Sequence, residues 1–539
     1  MAVAQPFTVV PQGGLDLVST PYESLRKPNV AVKLNNFEVS NEGGYRRING
    51  FTAFGGGSAV KPGGATQIYG VQAYGEGVVV CVDSEIYYSE DGITWTQVNK
   101  DLVGGGNDAA LAAAAALPRP SQDQAQFKLM KAPTGKTNAD YGSLIIATGA
   151  DSVAVFRIEG TGGSKTWYYE ELDSVTHSAP DAGKYIEIHE QHLCIVDAIN
   201  EPSTIYYSGN NDDDDFSGTG SGSVTINDII VGIKSFRSDL YIFCERSIKK
   251  LININVTAET AVEDVTVDLG CVSGYTIQEL GGDLIYLSQD GFRTIAGTER
   301  IGDVELGTIS QNIQPLVSEI TNTPGSYIFN SVVIRGRDQY RLYYSVSGGG
   351  ATTQRGIIGT LRINPETGGM GFEWSTCSGF DVGAVSASFS GTEVYYHGDL
   401  SGNVYIHDSG DDFAGLPITY NYVTGDMDFG DPGLRKTLHW MNLSTEPEGP
   451  TDITLQWKFN FSSIDIVQPP QTTIGSLSYG AVYGTAVYGT DVYGVSTPLK
   501  RINLRGSGTS VSFSFTGSDS YPPFKITGMY ITFVPMDRR

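Results

Sequence analysis

Short, almost unbroken apolar runs alternate with tight polar turns along most of this chain. Gly77-Val78-Val79-Val80, Leu144-Ile145-Ile146, Leu193-Cys194-Ile195-Val196 and Leu284-Ile285-Tyr286-Leu287 are such runs. Several units end on a Tyr-Tyr-Ser-like phrase, as in Ile86-Tyr87-Tyr88-Ser89, Ile205-Tyr206-Tyr207-Ser208, Leu342-Tyr343-Tyr344-Ser345 and Val394-Tyr395-Tyr396-His397. Anchored at Val78, Leu144, Leu193, Leu240, Leu284, Leu342 and Val394, the runs recur at spacings of 66, 49, 47, 44, 58 and 52 residues. A four-stranded blade needs about 40–50 residues. The spacing therefore predicts a mainly β chain with a β-propeller of six or seven blades over residues 56–415. The long first interval holds a Gly/Ala-rich insertion near 104–120, whose helical stretch from Asp108 is stopped by Pro118. A plain series of hairpins in a sandwich is the competing architecture, but sandwiches rarely keep one spacing for about 300 residues.

The rhythm changes after residue 415. Thr451-Asp452-Ile453-Thr454-Leu455-Gln456-Trp457-Lys458-Phe459 and Val511-Ser512-Phe513-Ser514-Phe515 alternate apolar and polar residues, the signature of strands with one wet face. Residues 416–539 are expected to form a separate β-sandwich-like domain, and residues 1–55 to lead into the propeller and help close it. A Tyr-Gly repeat places Tyr479, Tyr483, Tyr488 and Tyr493 in a loop over 479–494. That segment cannot build a core, and its rigid aromatics are candidates for contacts to a neighbouring subunit.

Turn chemistry agrees with blades. Ser89-Glu90-Asp91-Gly92-Ile93-Thr94-Trp95 resembles the Asp-box hairpin of sialidase-like propellers: Asp91 caps turn N–H groups, Gly92 takes positive φ, and Trp95 packs beneath. Asp290-Gly291 falls at the same point of its repeat, and Gly398-Asp399-Leu400-Ser401-Gly402-Asn403 is a further strand–turn–strand unit. The role assigned to Asp91, Gly92, Trp95, Asp290 and Gly291 is structural.

Charge narrows the function. The formal net charge is −25, with 60 acidic against 35 basic residues, and no basic stripe is present to hold a phosphate backbone. Five scattered cysteines, Cys81, Cys194, Cys244, Cys271 and Cys377, read as buried thiols of a chain folded in a reducing compartment. The first residues carry neither a basic n-region nor an apolar h-region, and no apolar run reaches 18 residues. Synthesis in cytoplasm without a membrane segment is the expectation.

Candidate chemistry is sparse. Gly135-Lys136-Thr137 has the end of a P-loop, but Met130 stands where the opening glycine belongs. Asp212, Asp213, Asp214 and Asp215 form the densest anionic run; as an EF-hand it fails, because its sixth position from Asn210 is Asp215 rather than glycine. The default for that run is a solvated acidic turn. His189 and His192, at i and i+3 in a strand-rich stretch, are expected on opposite faces. A sialidase would need an arginine cluster on a substrate carboxylate. Arg46, Arg47, Arg335, Arg337 and Arg341 cluster along the chain, yet no catalytic motif accompanies them. No catalytic, metal or cofactor residues are assigned, and a non-enzymatic protein is expected.

Three segments together carry a family likeness. Gly13-Gly14-Leu15-Asp16-Leu17 with Leu34-Asn35-Asn36-Phe37-Glu38-Val39 and Glu42-Gly43-Gly44-Tyr45-Arg46-Arg47-Ile48-Asn49-Gly50-Phe51 is the first. Ser288-Gln289-Asp290-Gly291-Phe292-Arg293-Thr294-Ile295-Ala296-Gly297 with Gln311-Asn312-Ile313 is the second. The third joins the Tyr-Gly run, Pro498-Leu499-Lys500-Arg501-Ile502 and Phe524-Lys525-Ile526-Thr527-Gly528-Met529-Tyr530-Ile531. Together they resemble bacteriophage tail nozzle, or packaged-DNA-stabilising tail hub, proteins of short-tailed phages. The resemblance implies a structural virion protein in a ring of six copies that continues the DNA ejection channel and helps retain packaged DNA, below the portal and its adaptor and beside tail fibres or distal tail proteins. DNA would pass through the ring without sequence-specific binding, and Asp212 to Asp215 would be candidates for its lumen. The alternative, from a different class, is a glycan-binding or glycan-cleaving propeller such as a receptor-binding tail component.

Overall fold

The computed structural model describes residues 3–536 except 84, 99–123, 132–140, 150, 161–164, 257–258, 297–307, 347–354, 364–369, 391 and 478–498. The Gly/Ala-rich insertion, Gly135-Lys136-Thr137 and all four tyrosines of the Tyr-Gly repeat lie outside the described residues. The described chain is almost entirely β, and its larger part is a β-propeller.

Five four-stranded sheets, one three-stranded sheet and the first four strands of a nine-stranded sheet are strung in sequence order as seven blades among the described residues. The first runs through Ile68–Tyr74, Gly77–Val82, Glu85–Ser89 and Thr96–Val98; the second through Gln126–Met130, Ser143–Ala147, Val153–Glu159 and Thr166–Leu172. The third and fourth begin at Gly183–His189 and Ile230–Phe236, and the three-stranded sheet spans Gln278–Leu280, Asp283–Ser288 and Gly291–Thr294. Tyr327–Ile334 opens the sixth sheet and Ala384–Ser390 the last. Phe51–Ala53, from near the start of the chain, hydrogen-bonds to Val404–His407 and completes that last sheet. Ring closure thus joins distant parts of the sequence by an antiparallel ladder, so no blade edge is left open there.

The apolar runs have a direct physical cause. Each blade is packed on both faces, so successive side chains of a middle strand, pointing to opposite faces, enter two different cores. Leu144 and Ile146 pack with Val79, Cys81 and Tyr88 of the first blade. Ile145 and Ala147, one residue out of phase, pack with Ile186, Leu193 and Ile195 of the third. A strand buried on both sides reads as continuous rather than alternating hydrophobicity. All five cysteines are free and buried in these layers, and burial pushes the Cys244, Cys271 and Cys377 thiols up to about 12.

The C-terminal part is a second β domain, into which the N-terminal segment is woven. Phe37–Val39, Tyr45–Arg47, Phe524–Pro535, Lys436–Pro447 and Leu499–Asn503 form one sheet, with Gln5–Val9 added on Phe524–Pro535. The facing strands Ala31–Asn35, Ile418–Thr424, Val511–Asp519, Thr451–Phe459 and Thr472–Leu477 continue the sixth blade: Asn35 pairs in parallel with Thr376 of Met370–Ser378. One nine-stranded sheet therefore runs from propeller into sandwich. Of residues 1–55, the stretch through Arg47 belongs to the second domain and only Phe51–Ala53 to the propeller. Gly44 fixes this docking: its φ is +84°, and a Cβ there would lie 2.4 Å from the Ile526 carbonyl oxygen.

Candidate functional site

The first strands of all seven sheets surround an axial cavity of about 370 Å³. Their local sequences explain its lining. Ile68–Tyr74 and Ile230–Phe236 share one burial pattern, Gly183–His189 differs from it at a single position, and all three carry a bulge between their first and third residues. Gln72 and Lys234, the fifth residues of their strands, consequently line the cavity at equivalent places, joined by Lys128 of the second blade and Glu279 of the three-stranded sheet; Glu187, the fifth residue of Gly183–His189, is buried against the two lysines.

Lys128 Nζ lies 2.6 Å from Glu187 Oε2, and Lys234 Nζ stands 3.8 Å from the same oxygen. One carboxylate thus faces two ammonium groups. The charge of Lys128, followed by burial, pulls the Lys234 ammonium down to about 8, with Glu187 working in the other direction. With Arg335, three cations and one carboxylate, Glu279, line the cavity, and Glu187 pairs with two of those cations, in a chain of net charge −25. Lys128, Glu187 and Lys234 were not singled out by sequence reasoning. A shared phase of the first strands, rather than of the second strands used as anchors, would have found two of them.

The Asp212–Asp215 run has a different fate from the one expected. Asp213 is fully buried: Arg157 Nη2 and Ser143 Oγ each donate to its Oδ2 at 2.6 Å. This ties the turn of the third blade to the interior of the second and removes Asp213 from any solvent-facing wall. Asp215 Oδ1 accepts from the backbone N–H groups of Ser217 and Gly218 at 2.8 and 2.9 Å, which closes the turn. The run is therefore a folded, partly buried turn rather than a solvated one.

Beside it, Glu170, His177 and Asp214 bring donor atoms within 4.8 Å of one another. His177 Nδ1 accepts the Asp173 N–H at 3.2 Å, so the neutral ring carries its proton on Nε2, which lies 3.2 Å from Glu170 Oε1. A metal would need that nitrogen bare. With Arg157 already supplying a cation, these residues do not fit a metal ion.

His189 and His192 also differ from expectation. They are paired across a two-residue hairpin whose Glu190 and Gln191 both have positive φ, and directly paired residues share a face. His189 Nδ1 lies 2.9 Å from Ser235 Oγ, while His192 Nδ1 and Nε2 meet Ser208 O and Asn255 Oδ1 at 2.6 and 3.0 Å. The turn, invisible to simple alternation, reverses the chain between them.

The arginines are committed to structural partners. Arg341, 1% exposed, donates to Glu38 Oε2 and Asp408 Oδ1 at 3.0 Å each. Arg337 reaches Glu38 at 2.9 Å, Arg46 bridges Glu38 and Glu448 at 2.9 and 2.5 Å, and Arg47 lies 3.5 Å from Asp519. Arg335 pairs with Glu393 at 3.4 Å. This network fastens the N-terminal strand at Glu38 to the last two blades. Burial works against the Asp408 carboxylate, yet Arg341 and Arg337 hold it well below its usual range. Burial also pulls His407 down to about 4 and holds His397 well below the usual imidazole range; His407 Nε2 accepts from Tyr343 Oη–H at 2.9 Å.

The Asp-box turn forms in full. Asp91 Oδ1 accepts from Thr94 N and Ile93 N at 2.7 and 2.8 Å, which holds its carboxyl down to about 2. Gly92 has φ +69°, and Trp95 Nε1 donates to Val60 O at 3.1 Å. Asp290 behaves otherwise: its carboxylate binds the Arg293 guanidinium (Nε at 3.0 Å), while Gly291 leaves room for the Ser310 hydroxyl.

No protein-family profile matches the chain, and no curated protein sequence does. Solved structures are similar to it only remotely. The extracellular domain of a hybrid two-component system from B. thetaiotaomicron aligns over 75% of this chain at 10% identity and a TM-score of 0.35; this chain spans 43% of its length. An exo-β-1,3-galactanase from Phanerochaete chrysosporium aligns over 90% of this chain and all of its own, at 11% identity and 0.27. The AfRom2 CNH domain covers 67% of this chain and 97% of itself, at 13% and 0.33. Among the described residues no helix is long and apolar enough to cross a membrane. The sheet topology by itself establishes a β-propeller joined to a C-terminal β domain.

Proposed function

We propose that this chain is a structural virion protein of a short-tailed phage, closing head to tail into a ring of about six copies that continues the DNA ejection channel. The reading rests on the likeness of its three sequence segments to tail nozzle proteins, and one structural observation supports it above others. Ile464 and Val467 are each 98% exposed on the loop between Thr451–Phe459 and Thr472–Leu477. Two bare aliphatic side chains on one sandwich loop favour cover by a second copy.

Rigidity and charge fit the same role. Propeller and sandwich share a nine-stranded sheet and a buried arginine–carboxylate network, which suits a tube wall under pressure. The axial cavity of one protomer, about 370 Å³, is far too small for a duplex whose grooves alone are about 6 and 12 Å wide. DNA would therefore run through the hole of the ring, not through the propeller. Six chains of −25 bring about −150 around that hole, repelling phosphates so that DNA slides without sticking to the wall. The adaptor above and the fibres or distal proteins below would be its neighbours.

Native mass spectrometry of the purified chain tests this. A species of about six protomers, reduced to monomer by Ile464→Asp with Val467→Asp while circular dichroism is unchanged, is the expected result. A chain that stays monomeric in all conditions and is absent from virus particles overturns it. The alternative, a glycan-binding or glycan-cleaving propeller, draws on the polar axial cavity and predicts saturable sugar binding or hydrolysis by the monomer.

A further inference from the structure

We propose that the axial cavity of the propeller is a binding site for a small oxyanion, a carboxylate or a phosphate, seated between Lys128 and Lys234. The proposal stands apart from the ring reading, since it concerns the interior of one protomer.

The geometry carries it. Glu187 Oε2 sits within hydrogen-bonding distance of Lys128 Nζ, at 2.6 Å, but 3.8 Å from Lys234 Nζ, beyond the reach of a hydrogen bond. Each ammonium has three donors, so one shared carboxylate oxygen leaves donors on both lysines. The Lys234 ammonium is depressed chiefly by the facing Lys128 charge and by burial, which Glu187 and, more weakly, Glu279 offset only in part. A second anion beside Glu187 would complete an alternating arrangement of two lysines and two oxyanions. At about 370 Å³ the cavity falls at the small end of ligand pockets, large enough for a sugar acid or a phosphate and too small for a polymer. The facing polar side chains Gln72, Gln126 and Gln278 can orient such a ligand, whereas an apolar molecule would desolvate the remaining ammonium donors without pairing them.

The ligand chemistry has more than one source, so the test uses three probes: inorganic phosphate, malonate and galacturonate, each titrated calorimetrically into the intact chain up to about 10 mM. Saturable binding of at least one probe is expected. Phosphate alone would identify a phosphate site, malonate a general dicarboxylate site, and galacturonate alone a sugar-acid site. Lys234→Met should weaken binding at least tenfold. Glu187→Gln removes the competing carboxylate and should tighten it severalfold, a gain that misfolding cannot imitate. Lys249→Met, on the outer part of the fourth blade beside Asp264, should leave binding unchanged. No saturable heat with any probe, or equal affinity in the wild type and Lys234→Met, overturns the proposal. Native mass is read in parallel: loss of anion binding with oligomer intact separates this site from the ring reading.

Discussion

Substituting Asp213 tests whether the acidic run is surface or interior. On a solvated turn, Asp213→Asn would change stability by less than about 0.5 kcal/mol. In the structure it strips the charge partner from Arg157, whose side chain is 7% exposed while that of Asp213 is 0%. Breaking a buried pair from one side costs about 3–5 kcal/mol. Glu170, 3.9 Å from Arg157, compensates part of the charge, which puts the expectation near about 3 kcal/mol. With a urea dependence of about 3 kcal/mol per molar, the unfolding midpoint should fall by about 1 M. Trp167 is a suitable reporter, since it stacks on Phe156 next to Arg157 with ring centroids 5.7 Å apart. Replacing both partners, Arg157→Met with Asp213→Leu, should recover most of the loss, because two apolar groups leave no buried charge. Asp212→Asn is the matched control. Equal midpoints for Asp213→Asn and Asp212→Asn would refute the buried pair.

Three further outcomes are expected. For the capped turn, Asp91→Ala should raise amide hydrogen exchange at Ile93 and Thr94; because the Asp91 carboxyl is held down to about 2, wild-type protection persists above pH 4 and fades as pH falls toward 2. His407, held down to about 4, is neutral in the fold, so its contribution is complete above pH 6.5 and is lost as pH falls from 6.5 toward 4; His407→Gln should flatten that part of a stability–pH curve. Gly50→Ala would set a Cβ 1.8 Å from the Asp412 carbonyl oxygen and displace the closing strand Phe51–Ala53; overpacking of this kind costs about 1–3 kcal/mol, read as a lower melting temperature and faster proteolysis near residue 55.

The run spacing alone was enough to indicate a propeller, because a blade packed on both faces forces its middle strand to be apolar at every position, and that signal is local. The Asp91-Gly92 turn was legible for the same reason: its donors lie within three residues of the carboxylate. His189 and His192 were misjudged where a two-residue turn interrupts alternation, a local feature carried by Glu190 and Gln191 rather than by glycine. The fate of Asp213 depended on Arg157, 56 residues earlier, and Glu38 met Arg341 across 303 residues. The axial cavity belongs to this second class, since its lining residues Lys128 and Lys234 and their shared partner Glu187 come from three blades. Sequence thus determined which strands exist and how often they recur, since burial on two faces leaves its mark on consecutive residues. Only the closed ring decided which charges became neighbours, because opposition across a propeller axis depends on where each blade's first strand comes to lie, and nothing in the intervening residues encodes that distance.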